Sequence, residues 1–407
     1  MTTDQLAVVD LTGIDLTDPR TYLDNDMAAV WREFRLREPI FRHREVGGMP
    51  GFWVLSRHQD NSVIYRDSHR FTIERGNMLS TLLAGGDSAG GRMVSVADGP
   101  RHRDLRGVIL KAFSQRALDA VAERVRAYTR RLLVEAIDRG GCDFATDVAA
   151  RIPITTICDL LGIPESDRPY LLDLNKRAVS SDEPGHTELD ARMARSEIVM
   201  YFTELVQRRT GQRGDDVISL LAGTRIDGEH LSGHDVVLNC YGLLLAGEET
   251  SRCSMIGGVH ALAVHGDQWA RLRAGDVSLD TATEEVLRWS TPVMHVGRTA
   301  TEDVEIGGAT IRSGDIVTLW ASSANRDGDV FDDPDAFDLG RSPNKHLTFG
   351  FGPHFCLGVF LARAEIGAVL DGLRTYASAV ELAGPARRIY SNVLNGFSRL
   401  PVAFTRA

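Results

Sequence analysis

The stretch Phe349-Gly350-Phe351-Gly352-Pro353-His354-Phe355-Cys356-Leu357-Gly358 constrains this chain more than any other. One cysteine stands among glycines and aromatics, directly before a helical pattern, Val359-Phe360-Leu361-Ala362-Arg363-Ala364-Glu365. A thiolate there lies near a helix N-terminus and faces backbone N–H groups freed by the turn. Such surroundings lower a thiol pKa and make a soft metal ligand. The glycines let a large flat ligand approach the backbone. A buried structural thiol is the competing reading, since free cysteines are commonly buried.

Composition narrows the class. The chain has 407 residues, 43% hydrophobic and 25% charged, enough for a large core. The net charge of −10 disfavours nucleic acid as a partner. Lysine occurs only at Lys111, Lys176 and Lys345, so nearly all the positive charge is arginine. The N-terminus has neither a basic nor an apolar signal region, and no apolar run approaches the ~20 residues of a membrane span. The expectation is a soluble, cytoplasmic protein. Five cysteines without metal-type spacing (Cys142, Cys158, Cys240, Cys253, Cys356) read as free thiols in a reducing compartment.

The pattern along the chain is mainly α with a small β region. Met27–Glu38 reads as a helix, and Ile40–His43 and Phe52–Leu55 as a hairpin around Gly47-Gly48. Residues 81–100 read as a flexible loop of the kind that serves as a lid. Helices are expected over Gln115–Arg139, Ala149–Leu161, Asp190–Thr210, Ser232–His265 and 284–289, with a break at Ser180–Gly185. Strands follow at Val304–Gly308 and Thr310–Val317, then coil from Asn325 to Lys345. A last strand pair is expected at Val393–Leu394 and Pro401–Phe404. The β-rich parts thus fall at about 40–57, 300–320 and 390–405 within one unit spanning 1–407.

The long helix carries a second anomaly, Ala246-Gly247-Glu248-Glu249-Thr250-Ser251, between apolar turns. Acids and an alcohol there are costly unless hydrogen-bonded. Gly247 weakens the helix by about 1 kcal/mol relative to alanine. Such local faults point to a bend where a ligand meets the helix. By themselves, Thr250 bonding back to its own helix and Glu285/Arg288 forming a surface pair are the simpler readings.

Taken in order, these motifs resemble those of the cytochrome P450 family, and the resemblance covers nearly the whole chain. It implies that fold, with haem b held between the long central helix and the Cys-loop and its helix. Cys356 would be the axial iron ligand, pushing electron density toward O–O cleavage. Phe349, Gly358, Ala246 and Gly247 would border the haem. Thr250 would hydrogen-bond dioxygen or its water, and Glu249 would relay protons. His102, Arg106, Arg298 and His354 would hold the propionates, to which arginine is well suited. Glu285, Arg288 and Arg341 would form a structural network that presents the cysteine loop. Departures are small: Glu249 stands for the commoner aspartate and Ser251 for the commoner threonine.

The resemblance further implies an O2-dependent monooxygenase that hydroxylates, epoxidises or oxidatively couples a small to mid-sized organic molecule, in secondary-metabolite and antibiotic biosynthesis. Electrons from NAD(P)H would arrive through a separate ferredoxin reductase and ferredoxin, docking near Arg103, Lys111 and Arg363 on a monomer. Substrate-facing residues would include Leu82, Val179, Tyr241, Leu243, Val293, His295, Val393 and Leu394, with Asn239 and Asn395 as further polar anchors. The substrate is either free or an amino acid on a carrier protein, undergoing for example β-hydroxylation. A haem sensor or electron carrier and a peroxide-driven enzyme are rival classes that do not need Glu249-Thr250; a non-haem helical protein, the third, would have every motif arise by chance.

Overall fold

The computed structural model describes residues 11, 13–179, 188–209, 211–212, 214–226 and 228–407; the side chains of Val179 and Glu188 are outside that description. The order begins α1 (Arg20–Asp24), α2 (Met27–Arg37), β1 (Ile40–His43), β2 (Phe52–Leu55), α3 (His58–Arg66), β3 (Phe71–Thr72), α4 (Leu79–Leu83), α5 (Gly99–Ala112) and α6 (Gln115–Asp138). It continues with β4 (Gly141–Asp143), α7 (Arg151–Leu161), α8 (Arg168–Val179), α9 (Glu188–Arg209), α10 (Val217–Ala222), β5 (Arg225–Ile226) and β6 (Glu229–His230). Then come α11 (Gly233–Val264), α12 (Gly266–Ala274), α13 (Leu279–Ser290), β7 (Val296–Ala300), β8 (Val304–Ile306), β9 (Ala309–Ile311), β10 (Ile316–Leu319) and α14 (Ala321–Ala324). The last elements are α15 (Val359–Tyr376), β11 (Ala377–Leu382), β12 (Arg387–Arg388), β13 (Phe397–Arg399) and β14 (Pro401–Arg406).

Local chemistry sets the helix ends. Ser232 caps α11 by accepting from the Asp235 N–H, and Ser278 caps α13 by accepting from Thr281 N–H. Each cap satisfies an N–H that the first helical turn leaves without a partner. The 32 residues of α11 run through Gly247 as one continuous helix, so the weakness expected there does not break it. The missing Cβ serves packing: placed at Gly247, it would meet Ile157 of α7 at 3.2 Å.

The largest core cluster joins α6, α11, α13 and α15 through Leu133, Ile256, Val286 and Leu370. A second lies between α5, α7, α8, α9 and α11. The main sheet has the order β1-β2-β10-β7-β3, with β1 and β2 forming the expected antiparallel hairpin.

Two expectations give way. Residues 81–100 are not a plain loop: they enter from α4, make a 3₁₀ turn at Val94–Val96 and run into α5. The terminal strand pair is also different. Pro401–Arg406 pairs with Ala377–Leu382 and Gly141–Asp143, while Val393–Leu394 contributes only an isolated bridge from Leu394 to Val293. The break at Ser180–Gly185 lies outside the described residues.

Candidate active site

The cysteine loop folds as its glycines require. Gly350 and Gly352 have φ of 67° and 74°, which side-chain-bearing residues rarely adopt. A Cβ on Gly352 would also lie 2.5 Å from the Tyr65 carbonyl. Cys356 N–H donates to the Phe349 carbonyl at 3.0 Å, closing the loop just before α15. The thiol does not titrate low in the protein alone. Burial is the strongest influence and pushes it up, against the Gly358 N–H and the Arg106 and Arg363 charges. The expectation of a lowered thiol pKa is therefore corrected: helix terminus and cations are present, but desolvation outweighs them.

Glu285 and Arg288, one helical turn apart, are fully buried and doubly bonded at 2.7 and 2.8 Å. Arg341 Nε adds a bond to Glu285 at 3.2 Å. Arg288 also donates to the carbonyls of Asn325, Pro334 and Ala336, and Glu285 accepts from Asp338 N–H and Asn344. The network therefore gathers the irregular segment that leads to Phe349. Beside it, Glu284 binds Arg363 at 2.6 and 2.9 Å and His346 at 3.2 Å. Burial opposes its ionisation, yet these cations prevail and hold the Glu284 carboxyl down at about 2.

One cavity of about 330 Å³ is lined by Cys356 from the loop and by Ala246, Gly247, Thr250 and Ser251 from α11. That volume is at the lower end of the ~300–1,000 Å³ of small-molecule sites. The Thr250 hydroxyl donates to the Ala246 carbonyl at 2.9 Å, the bond back to its own helix. Glu249 is not among the lining residues. It is buried and paired with Arg252 at 2.7 and 3.2 Å.

Of the cations expected around a cofactor, His102, Arg106, Arg298 and His354 all line this cavity. Arg298 is 3% exposed, and among the described residues no carboxylate pairs with it; Nη1 donates to the Gly297 carbonyl at 2.7 Å. A desolvated guanidinium on a cavity wall is costly without an anion, so the arrangement fits the carboxylates of a haem. His354 differs from expectation: its Nε2 is engaged with Asp98 at 3.0 Å, leaving only the other ring nitrogen for a propionate. His102 packs on His354 with ring centroids 4.2 Å apart. Burial first, then the His354 and Arg106 charges, push the His102 imidazole down to about 4.

The substrate-facing expectations divide. Leu243, Val293 and His295 line the cavity. Leu82, Tyr241, Val393 and Leu394 do not. Leu82 fills the space over Gly297, where a Cβ would meet it at 2.3 Å. Tyr241 packs into the second core cluster. Val393 and Leu394 brace the 292–296 segment from behind, the Val393 carbonyl accepting from Met294 N–H at 2.8 Å. The side chain of Val179 lies outside the described residues. Asn239 does line the cavity, but its amide is engaged: it accepts from Val94 N–H and donates to the Arg92 and Asp235 carbonyls. Asn395 is likewise engaged with the Ser290 carbonyl at 2.6 Å.

Sequence reasoning missed Glu365. It lines the cavity nine residues after Cys356, is 2% exposed and bonds Ser251 and Thr156. Its Oε2 has no partner among the described residues, and burial pushes the carboxyl up to about 7. A lone acid on the apolar face of the helix after the loop was the available signal.

The chain is similar to known proteins along its length. The cytochrome P450 family model matches residues 278–373. Cytochrome P450 NovI of Streptomyces niveus is 47% identical over 396 residues, 97% of each chain. The steroid C26-monooxygenase of Rhodococcus jostii is 32% identical, over 97% of this chain and 85% of that one. The crystal structure of P450 OxyD, involved in the biosynthesis of vancomycin-type antibiotics, superposes with a TM-score of 0.88 at 37% identity, covering 97% of this chain and 100% of that one. With relatives this similar over nearly its whole length, the chain belongs to the cytochrome P450 family.

Proposed function

We propose that this cytochrome P450 monooxygenase oxidises a mid-sized secondary metabolite on the way to an antibiotic. The observation that carries the reading is the cavity shared by Cys356, Thr250 and a buried Arg298 that has no carboxylate partner among the described residues. The antibiotic setting is supported by OxyD, more similar in sequence (37%) than the steroid enzyme (32%). The cavity wall agrees, with Ile73, Met93, Val94, Leu243 and Val293 facing it.

Haem b, when bound, supplies the oxidising chemistry with O2. The chain's own groups do the rest. Cys356 Sγ, which accepts a hydrogen bond from Gly358 N–H, would be the metal ligand. Arg106 and Arg298 hold the carboxylates, with His102 and the free nitrogen of His354 beside them. Thr250 presents its hydroxyl on the cavity wall. Glu249, held by Arg252 behind the cavity wall, would pass protons toward the neighbouring Thr250 hydroxyl. His295, Val293 and Leu243 orient the substrate.

Electrons come from NAD(P)H through a ferredoxin reductase and a ferredoxin. Arg103 and Lys111 stand exposed on α5 for such an acidic partner, whereas Arg363 is already paired with Glu284. Reversing Arg103 and Lys111 to Glu is expected to slow reduction by the ferredoxin most at low ionic strength; unchanged rates would remove this surface.

The test of the function is spectroscopic. The reduced, CO-bound protein must show the Soret band of a thiolate-ligated haem. A compound panel offered both free and on a carrier protein is then read by the Soret shift that substrate produces on displacing a water. A response only to the carrier-bound form would select the amino-acid reading, and a response only to steroids would overturn the antibiotic one.

A further inference from the structure

Glu248 is the buried acid that the family motif leaves unused. It sits one residue before Glu249, 1% exposed, and faces away from the cavity toward α8. There the Asn175 amide, itself fully buried, donates to its Oε2 at 2.5 Å. Asn175 Oδ1 has no partner among the described residues. Glu248 also lies within hydrogen-bonding reach of Glu249. Asn175, Glu248, Glu249 and Arg252 therefore form one connected array between α8 and α11.

The charges in this array do not cancel. Two carboxyls share one guanidinium, that of Arg252, which binds Glu249 with both Nε and Nη2. Cys158 on α7, the neighbouring titratable group, is pushed up to about 12 by burial and stays a neutral thiol. Nearby Arg168 is engaged with Asp159 at 2.6 Å. From α8 the group in contact is the neutral Asn175. A second ionised carboxylate would be buried without a counter-charge, which is too costly to persist. Adjacent carboxyls in such a site hold one proton between them.

We propose that Glu248 is a positioning residue for the proton relay: it carries the one proton of the Glu248/Glu249 pair and donates it as a hydrogen bond to Glu249, leaving Glu249 as the single carboxylate held by Arg252. The proton stays on a Glu248 oxygen in the resting pair. Moving it to Glu249 leaves Glu248 as the carboxylate, bonded by the Asn175 amide. No other bond changes. Burial and the neighbouring carboxylate raise the Glu248 pKa well above its ordinary value, in the direction the arrangement requires. Because the clamp is on α8 and the acids are on α11, the pair also ties the relay to the seating of one helix on the other.

This inference rests on the relay reading of Glu249, and the experiment separates the two. Infrared difference spectra of the haem-loaded protein at neutral pH are compared between the native chain, Glu248→Gln and Glu365→Gln. A protonated-carboxyl band, shifted in D2O, should vanish in Glu248→Gln and persist in Glu365→Gln. Loss of carboxylate bands in Glu248→Gln would overturn the proposal. In turnover, Glu248→Leu should lower product formed per NAD(P)H consumed by about tenfold, a typical size for broken coupling between adjacent groups, with the CO-bound Soret band intact. Glu248→Gln, neutral and still a donor, should restore most of that loss. Native coupling in Glu248→Leu would overturn the positioning role. Should the leucine variant not take up haem, the infrared comparison decides alone. Unchanged coupling in Glu249→Gln would instead sink the relay reading, while the shared proton stands or falls on the infrared bands.

Discussion

Glu285–Arg288 and Glu249–Arg252 are the same device in two places: a glutamate and an arginine one turn apart, buried, with shortest contacts of 2.7 Å. Around the first, the guanidinium is fully bonded, with Arg288 giving both Nε and Nη2 to Glu285. Arg341 joins it, and three backbone carbonyls accept from Arg288. Around the second, a further acid, Glu248, is left over and bonded by the neutral amide of Asn175. The contrast teaches that a buried ion pair has no fixed meaning. A cation tied to backbone carbonyls marks scaffold, and an acid in excess marks the site where we propose that protons are handled.

The sharpest way to break that comparison is to remove one partner from the scaffold. Arg288→Ala leaves Glu285 buried beside Arg341 alone and frees the carbonyls of Asn325, Pro334 and Ala336. Breaking a buried pair this way costs about 3–5 kcal/mol, a large part of the ~5–15 kcal/mol that holds a domain folded. The expected result is protein with little or no CO-reactive haem. Glu249→Gln should retain its haem. Equal haem loss in both variants would erase the distinction.

Much of this was legible in the sequence because it is local. The cysteine loop, Glu285/Arg288 and Glu249/Thr250 each lie within a few residues, where helix and turn geometry decide who meets whom. What was not legible is set by distance along the chain. Asp98 reaches His354 across 256 positions, and Asn175 reaches Glu248 across 73. Strand β11 had to find β14 and, through it, β4. The same limit explains the substrate-facing residues. Whether Tyr241 or Leu243 faces the cavity depends on how α11 is rotated in its packing, and that rotation is set by α7, α8 and α9.

Glu365 offers a second imbalance with a definite pH signature. Its folded pKa of about 7 lies above the ordinary 4.5. The sign follows: the neutral form is favoured in the fold, so its contribution is whole below pH 4.5 and is lost as pH rises through 7. With ~1.4 kcal/mol per unit, the span amounts to about 3 kcal/mol. Glu365→Gln should therefore be little different from the native chain at pH 4.5 and gain on it by pH 8 in urea denaturation of the haem-loaded protein. A constant difference across that range would place Glu365 with the satisfied scaffold acids.

Thr250→Ala addresses the hydroxyl on the cavity wall. Among the described residues its hydroxyl bonds only the Ala246 carbonyl of its own helix, so stability should hardly change. Product per NAD(P)H should fall about tenfold, equivalent to ~1.4 kcal/mol. Native coupling would return Thr250 to the simple role of a helix back-bond.

The smallest effect is expected beside the triad, at Glu284. It neighbours Glu285 in sequence yet pairs with Arg363, whose side chain is 44% exposed, over the Phe349 ring. Water and salt screen such a pair, and exposed ion pairs are worth about 0–1 kcal/mol. Glu284→Gln should then lower the unfolding midpoint only slightly at neutral pH. Here the sign is opposite to that of Glu365. The folded pKa of about 2 lies below 4.5, so the contribution is present above pH 4.5 and fades as pH falls toward 2. The gap between native and variant midpoints should close over that acid range, and shrink in high salt at neutral pH. A loss as large as that of Arg288→Ala would show that Glu284, through Arg363 and Phe349, belongs to the scaffold after all. Two adjacent glutamates would then share one task, and burial would cease to be what separates them.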